Sequence, residues 1–265
     1  MAMTANISKG FQLDMVSFSY TASPCLQDIS ITLEPGYLYG LIGPNGSGKS
    51  TLLDLLSAYL QPLKGSISLA GKPLASYKRT LLAAFLTAVP QSFTFNFDYR
   101  VYDAVLMGRH PYVDRFASPT EQDHRQVDEA LELMDIAHLA QRSITRLSGG
   151  EKQRVMIARA LAQDTEFLLL DEVTANLDIN HGISIMQTMA DLIKQGRTVI
   201  AALHDLNMAL AFCDRIIVLK DGRLHHYGDA ADIITSQMIA DIYQVDAEIV
   251  RTSDEPGYLH FSYRS

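Results

Sequence analysis

Residues 43–50 read Gly-Pro-Asn-Gly-Ser-Gly-Lys-Ser and follow the apolar run Tyr37-Leu38-Tyr39-Gly40-Leu41-Ile42. This matches the phosphate-loop pattern G-x-x-x-x-G-K-[ST], which carries a mechanism when a strand precedes it and a helix follows. Both conditions are met. Residues 37–42 read as a short buried strand, and Leu52, Leu53, Leu55, Leu56 and Tyr59 mark the inner side of a helix. A strand, a tight glycine loop and a helix in that order demand an α/β core. The glycines let backbone amides turn inward around phosphate oxygens, and the helix beginning near Lys49 adds the positive end of its dipole. Lys49 supplies a point charge to the outer phosphates, and the Ser50 hydroxyl is a candidate Mg²⁺ ligand. The nucleotide-binding stretch is therefore Gly43, Pro44, Asn45, Gly46, Ser47, Gly48, Lys49, Ser50 and Thr51.

Two further strands end in chemistry. Phe167-Leu168-Leu169-Leu170 delivers Asp171 and Glu172. Asp171 can hold Mg²⁺ directly or through water, and Glu172 can polarise an attacking water as general base. A solvated acidic turn after a strand would look the same in isolation. Thr198-Val199-Ile200-Ala201-Ala202-Leu203 ends in His204. At the ligand-binding edge of an open α/β sheet, a neutral imidazole could bond the terminal phosphate and orient water. The His225-His226 pair and the other histidines have no such placement and read as surface or packing residues.

The chain has 265 residues, 48% of them hydrophobic and 20% charged, enough for one large domain with a substantial core. Its net charge of -8 gives no footprint for nucleic acid. Cys25 and Cys213 have no metal-ligand spacing and read as buried, reduced thiols of a cytosolic protein. The N-terminal MAMTANISKG lacks the apolar stretch of a secretory signal, and no apolar run is long enough to span a bilayer. If the protein works at a membrane, another chain is expected to supply the spans.

Along the chain, 11–20 reads as a strand with a register shift near Val16, with Phe11, Leu13 and Met15 on one face. Residues 29–33, 65–70 and 82–89 also read as strands. From 98 to 146 the pattern turns helical, with Ser118-Pro119-Thr120-Glu121 as a capping box and proline at the first helical position. Strand and helix then alternate: 166–171, 180–195, 197–203, 205–212 and 215–220. The tail, 245–265, reads as a small hairpin around Glu255-Pro256-Gly257. No internal repeat is visible, so 1–265 is expected to be one cassette and not a tandem pair.

Leu147-Ser148-Gly149-Gly150-Glu151 precedes a helix and makes a second phosphate-binding helix start. The chain already has one. Two make sense if the second serves the nucleotide held by another copy of the protein. This segment resembles the signature motif of the ABC ATPase family, whose cassettes pair head to tail around two ATPs. Other motifs of that family lie here in order. Tyr20 matches the aromatic that stacks on adenine, with Phe18 a neighbouring candidate. Gln91 matches the glutamine that links Mg²⁺ and water to the membrane subunit. Asp178 matches the aspartate that crosses the dimer interface, and His204 the switch histidine. Val173 stands where the family usually has proline, and Asn176 where it has a small residue.

The resemblance implies a phosphate-loop NTPase core, an antiparallel β subdomain and a helical subdomain inserted at 98–146. It implies an ATPase using ATP and Mg²⁺, with Glu172, His204, Gln91 and Lys49 catalytic and with Ser50, Gln91 and Asp171 at the metal. Implied partners are a second copy, two integral-membrane permease subunits and, indirectly, an extracytoplasmic substrate-binding protein, with no nucleic acid. The implied location is the cytoplasmic face of the inner membrane, held peripherally. Met107-Gly108-Arg109-His110-Pro111-Tyr112 and Leu203-His204-Asp205-Leu206-Asn207 are similar to the ATPase subunits of metal-chelate importers, for ferric siderophore, haem or cobalamin. The alternatives are an importer for another cargo, such as molybdate, or a soluble ABC ATPase without a transport role. The aromatics of 93–116, among them Phe95 and Tyr102, form either a groove for a helix of the membrane partner or the packed joint between lobes.

Overall fold

A computed structural model describes residues 10–93, 97–114, 116–175, 177–250 and 258–261. The first half of the chain forms β1 (Phe11–Phe18), β2 (Leu26–Leu33), β3 (Leu38–Ile42), α1 (Lys49–Leu56), β4 (Lys64–Leu69), β5 (Lys72–Pro73), α2 (Arg79–Phe85), β6 (Leu86–Val89), α3 (Val101–Leu106) and α4 (Glu121–Leu133). The second half forms α5 (Gly149–Ala162), β7 (Phe167–Asp171), α6 (Ile179–Lys194), β8 (Thr198–Ala202), α7 (Leu206–Phe212), β9 (Arg215–Lys220), β10 (Arg223–Asp229), α8 (Ala230–Ile233), α9 (Ser236–Tyr243), β11 (Ala247–Val250) and β12 (Tyr258–Phe261).

Every residue of β3, β7 and β8 is buried, because these strands have covered faces on both sides. They lie inside a sheet of order β10-β9-β3-β8-β7-β6, parallel throughout except for β10 at one edge. Successive side chains point to opposite faces. Leu38, Leu168, Leu170, Val199 and Ala201 join the core shared with the helices. Tyr39, Leu41, Leu169, Ile200 and Ala202 join a second core with α1 and an antiparallel sheet of order β2-β1-β4-β5. Because the strands run parallel, the loops after β3, β6, β7 and β8 all leave at one edge.

The register of β1 shifts on both sides of Val16. Met15 adopts a positive φ of 48° and faces solvent, and Val16 takes the inner position in its place. Residues 82–85, read as strand from their apolar run, instead complete helix α2, and only Leu86–Val89 extends. A short apolar run fits either period, and Leu-Leu-Ala-Ala favours helix. Tyr59 is 79% exposed because α1 ends at Leu56, one turn earlier than the expected inner face required. Cys213 is buried, but Cys25 is only half-buried.

Between β6 and β7 the described residues are helical. The two ends of the segment meet: Arg100 bridges Ser143, and Ile144 donates its amide to the Tyr99 carbonyl at 2.9 Å. The capping box sits two residues later than expected. Thr120 is the N-cap, and its side chain accepts from the Asp123 amide while Asp123 accepts from the Thr120 amide and hydroxyl. Pro119 therefore lies outside α4. The shift follows from Asp123, which also pairs with buried Arg109 at 2.8 Å; Arg109 in turn donates to the Ala162 carbonyl at the end of α5. Burial opposes the charge on Asp123, but Thr120 and Arg109 overcome it and hold the carboxyl at about 2. The pair ties α4 to α5. The expected turn at Glu255-Pro256-Gly257 lies outside the described residues, but β11 and β12 on either side pair antiparallel. Among the described residues no helix is long and apolar enough to cross a membrane. Arg109→Ala strands Asp123 as a buried, unpaired carboxylate. It should cost about 3–5 kcal/mol in urea unfolding; a loss below about 1 kcal/mol would mean the pair behaves as an exposed one.

Candidate functional site

The loop after β3 wraps tightly. Gly43 has φ 151°, and a Cβ there would sit 2.0 Å from the Leu219 carbonyl oxygen. Gly48 has φ 101°, and a Cβ would meet the Leu26 side chain at 2.6 Å. No larger residue fits either place. The loop brings its lysine inside: Lys49 is 5% exposed, and its Nζ donates to the Gly43 and Pro44 carbonyls at 2.9 and 3.2 Å. Burial pulls the Lys49 pKa below the ordinary lysine value, opposed by Glu172 and then Asp171. These groups surround a cleft of about 390 Å³ lined by Asn45, Gly46, Ser50, Thr51, Gln91, Glu172 and His204, among others. Residues more than 150 positions apart in sequence thus face one space.

Asp171 ends β7, level with Ala202 of β8. Its Oδ1 is buried and has no hydrogen-bond partner. Burial raises its pKa above the usual carboxylate value; the Ser50 hydroxyl works against that rise and Glu172 reinforces it. A buried carboxylate oxygen without a donor, on a carboxylate that the Ser50 hydroxyl bonds, is an oxygen donor set that suits Mg²⁺. Glu172 follows with a positive φ of 52°, which turns its side chain out of the strand direction. Its two carboxylate oxygens are shared: Gln91 Nε2 donates to one at 2.5 Å, and His204 Nε2 meets the other at 2.5 Å. Each oxygen keeps a lone pair, so the carboxylate can still accept from a water.

The remaining candidates lie elsewhere. Tyr20 is 63% exposed, packs edge-on against Phe18 with centroids 4.9 Å apart, and places its hydroxyl 3.4 Å from Thr51 Oγ1. Phe18 points into the core, which leaves Tyr20 as the aromatic facing the cleft rim. Leu147, Ser148, Gly149, Gly150 and Glu151 do not line the cleft. Ser148 caps α5 in a reciprocal box with Glu151, and the bonds from Ser148 hold the Glu151 carboxyl below its usual range. Both glycines are solvent-accessible, and the α5 start lies beside Leu177. Asp178 caps α6 by accepting from the His181 amide, which lowers its pKa. Asn176 lies outside the described residues; Val173 is buried in the core.

The profile of the ABC transporter family matches residues 26–175. The chain belongs to the ABC transporter family. It is an ATP-binding, ATP-hydrolysing cassette. It is 39% identical over 235 residues to a hemin import ATP-binding protein of Thermobifida fusca, covering 89% of this chain and 82% of that one. It is 40% identical over 215 residues to a cobalamin import ATP-binding protein of Halobacterium salinarum, covering 81% of this chain; it spans about half of that longer relative, 54%. Among solved structures it is similar to a chain of an inward-facing metal-chelate type ABC transporter, with TM-score 0.81 and 31% identity over 96% of this chain and 97% of that one.

In this ABC cassette, one cleft residue escaped the sequence reading. Cys25 was expected to be bland and buried, yet it lines the nucleotide cleft with its Sγ 3.2 Å from Thr51 Oγ1. Nothing in its spacing signals this, since β2 begins only at Leu26. Asp171 yields a stability prediction. Its folded pKa is raised, so its favourable contribution exists below the unfolded carboxylate pKa and is lost as pH rises through the folded value. The nucleotide-free cassette therefore carries a penalty at neutral pH. Asp171→Asn should raise the melting temperature of the nucleotide-free protein at pH 7, and the difference should shrink toward pH 4. Calorimetry across that range checks it; a lower Tm at pH 7 would contradict the assigned cause.

Proposed function

We propose that the chain is the ATPase subunit of an importer for a metal chelate of the haem or cobalamin type. In this reading two copies pair head to tail and drive two membrane permease subunits, served by an extracytoplasmic binding protein. The cassette then sits peripherally on the cytoplasmic face of the membrane. The similarity to hemin and cobalamin import ATP-binding proteins, and the match along nearly the whole length of a metal-chelate type transporter chain, support the cargo class. The cleft supports the chemistry.

The observation that carries the reading is the Glu172 carboxylate held between Gln91 and His204 at the mouth of the phosphate loop. Lys49 and the loop amides hold the outer phosphates. Ser50, Asp171 and Gln91 would hold Mg²⁺, which would neutralise charge on the phosphates when bound. Glu172 accepts a proton from the attacking water, and His204 orients both the carboxylate and the terminal phosphate. Tyr20 stacks on the base. Ser148 and the glycines after it contact the nucleotide of the opposite copy, and Asp178 faces that copy. Binding closes the pair because ATP then has higher affinity for the closed state than for the open one.

Coupling to the permease is assigned to the exposed aromatics. Phe97 and Phe116 are 68% and 96% exposed, whereas Tyr99 and Tyr102 pack against the core and Tyr102 bonds the His124 ring. In this reading Phe97 and Phe116 serve the groove, and Tyr99 and Tyr102 serve the joint between lobes. Phe95 lies outside the described residues. Glu172→Gln tests the chemistry. The amide cannot accept the proton, so kcat should fall at least about a hundredfold. ATP binding should persist and a stable ATP-bound dimer should accumulate on size exclusion. Wild-type turnover would remove Glu172 from the mechanism.

A further inference from the structure

The helix that follows His204 is short, and its first turn is held by a distant part of the chain. α7 begins at Leu206 with Asp205 as its cap, and the Asp205 carboxylate accepts from the Asn207 and Met208 amides. The Asn207 side chain points the other way: its Oδ1 accepts from the Leu259 backbone amide of β12 at 2.6 Å. Leu259 is buried in the same core cluster as Leu206 and Ala209, so this is an anchored contact rather than a loose tail. In the register of β12, Leu259 faces Ile249 of β11, and Ala247 of β11 is also buried. The α9 helix ahead of the hairpin packs Met238, Ile239 and Ile242 into that cluster. Its Tyr243 hydroxyl lies against the Gly43 backbone at the start of the phosphate loop, and burial raises the Tyr243 pKa to about 12. One C-terminal segment therefore touches both the start of the phosphate loop and the helix that follows His204.

We infer that Asn207 is a positioning residue for ATP hydrolysis, and that the β12 amide it accepts from holds the start of α7 so that His204 stays against Glu172. The inference rests on the proposed role of His204. The geometry supplies the reason. His204 lies between the end of β8 and the cap of α7, and its Nε2 pairs with Glu172. The β8 side is rigid, since the Leu203 amide donates to the Leu41 carbonyl at 3.0 Å. The α7 side has two turns of helix and, among the described residues, one side-chain hydrogen bond to a distant element, from Leu259 to Asn207. Loss of that tie lets the first turn of α7 shift, and small misplacements at a reacting centre are expensive.

Four full-length variants test this. Asn207→Ala removes the acceptor; Asn207→Asp keeps an acceptor; Leu259→Pro removes the donor; the fourth combines Asn207→Ala with Leu259→Pro. Circular dichroism first checks that each is folded. Asn207→Ala and Leu259→Pro should each lower kcat about ten- to a hundredfold with KM for ATP within about twofold. The double variant should fall no further than the worse single one, because both remove the same tie. Asn207→Asp should stay within about twofold of wild type. A purely structural role would instead lower thermal stability with kcat of the folded fraction intact, and additive losses in the double variant would also overturn the inference. His204→Ala, measured alongside, separates the two claims. If it retains wild-type turnover, the role of His204 itself is wrong. If it is inactive while Asn207→Ala turns over normally, the tie to β12 plays no part. Should Leu259→Pro fail to fold, the Asn207→Ala and Asn207→Asp pair decides the matter alone.

Discussion

Lys49 is a buried cation whose hydrogen bonds go to two carbonyls of its own loop, and the rest of the site is arranged around that fact. An ammonium in such a place is under tension: burial favours its neutral form, and the two carboxylates at the end of β7 oppose that. Asp171 is under the opposite tension, with a buried oxygen that no donor satisfies. Neither group is at rest alone. In the proposed function a polyphosphate chain would supply negative charge to the lysine, and an accompanying divalent cation would supply positive charge to the carboxylate. The cleft is thus built for a ligand that carries both.

The parallel sheet is what makes this arrangement reachable. Gly43, Gln91, Asp171 and His204 are scattered over more than 160 residues, yet each lies at or just past the carboxyl end of a strand of one sheet. The strict alternation of side chains lets each strand serve two cores at once, so the sheet is rigid where its loops are functional. The helical segment between β6 and β7 is attached through Gln91 on one side and α5 on the other. A partner that moves this lobe would move the amide that bonds Glu172.

The sequence showed some of this directly. The loop at 43–50 could be placed because its glycines and lysine are one local pattern, and the strands ending at Asp171 and His204 because they are unbroken apolar runs. The boundary near 82–86 was misread because a six-residue apolar run, Leu81 to Leu86, is too short to show a period of its own. The cap of α4 was misplaced because Asp123 is chosen by its partner Arg109, fourteen residues away, and not by its neighbours. Cys25 and the tie from Asn207 to Leu259 were invisible for the same reason. Both exist only through contacts between segments that no local spacing records.

The geometry also shows where the site stops. The phosphate loop, Glu172 and His204 line the cleft, while Ser148 and the start of α5, proposed to meet a second nucleotide, do not. In the proposed pairing each copy holds half of two sites. Mixed dimers test this directly. A heterodimer with Lys49→Ala in one chain and Ser148→Arg in the other gathers both defects into one site and spares the other, whereas a homodimer carrying both changes has no intact site. Equilibrium binding of ATP to hydrolysis-deficient versions should show one site per heterodimer and none per doubly changed homodimer. Equal binding by the two assemblies would contradict the head-to-tail pairing on which the account rests.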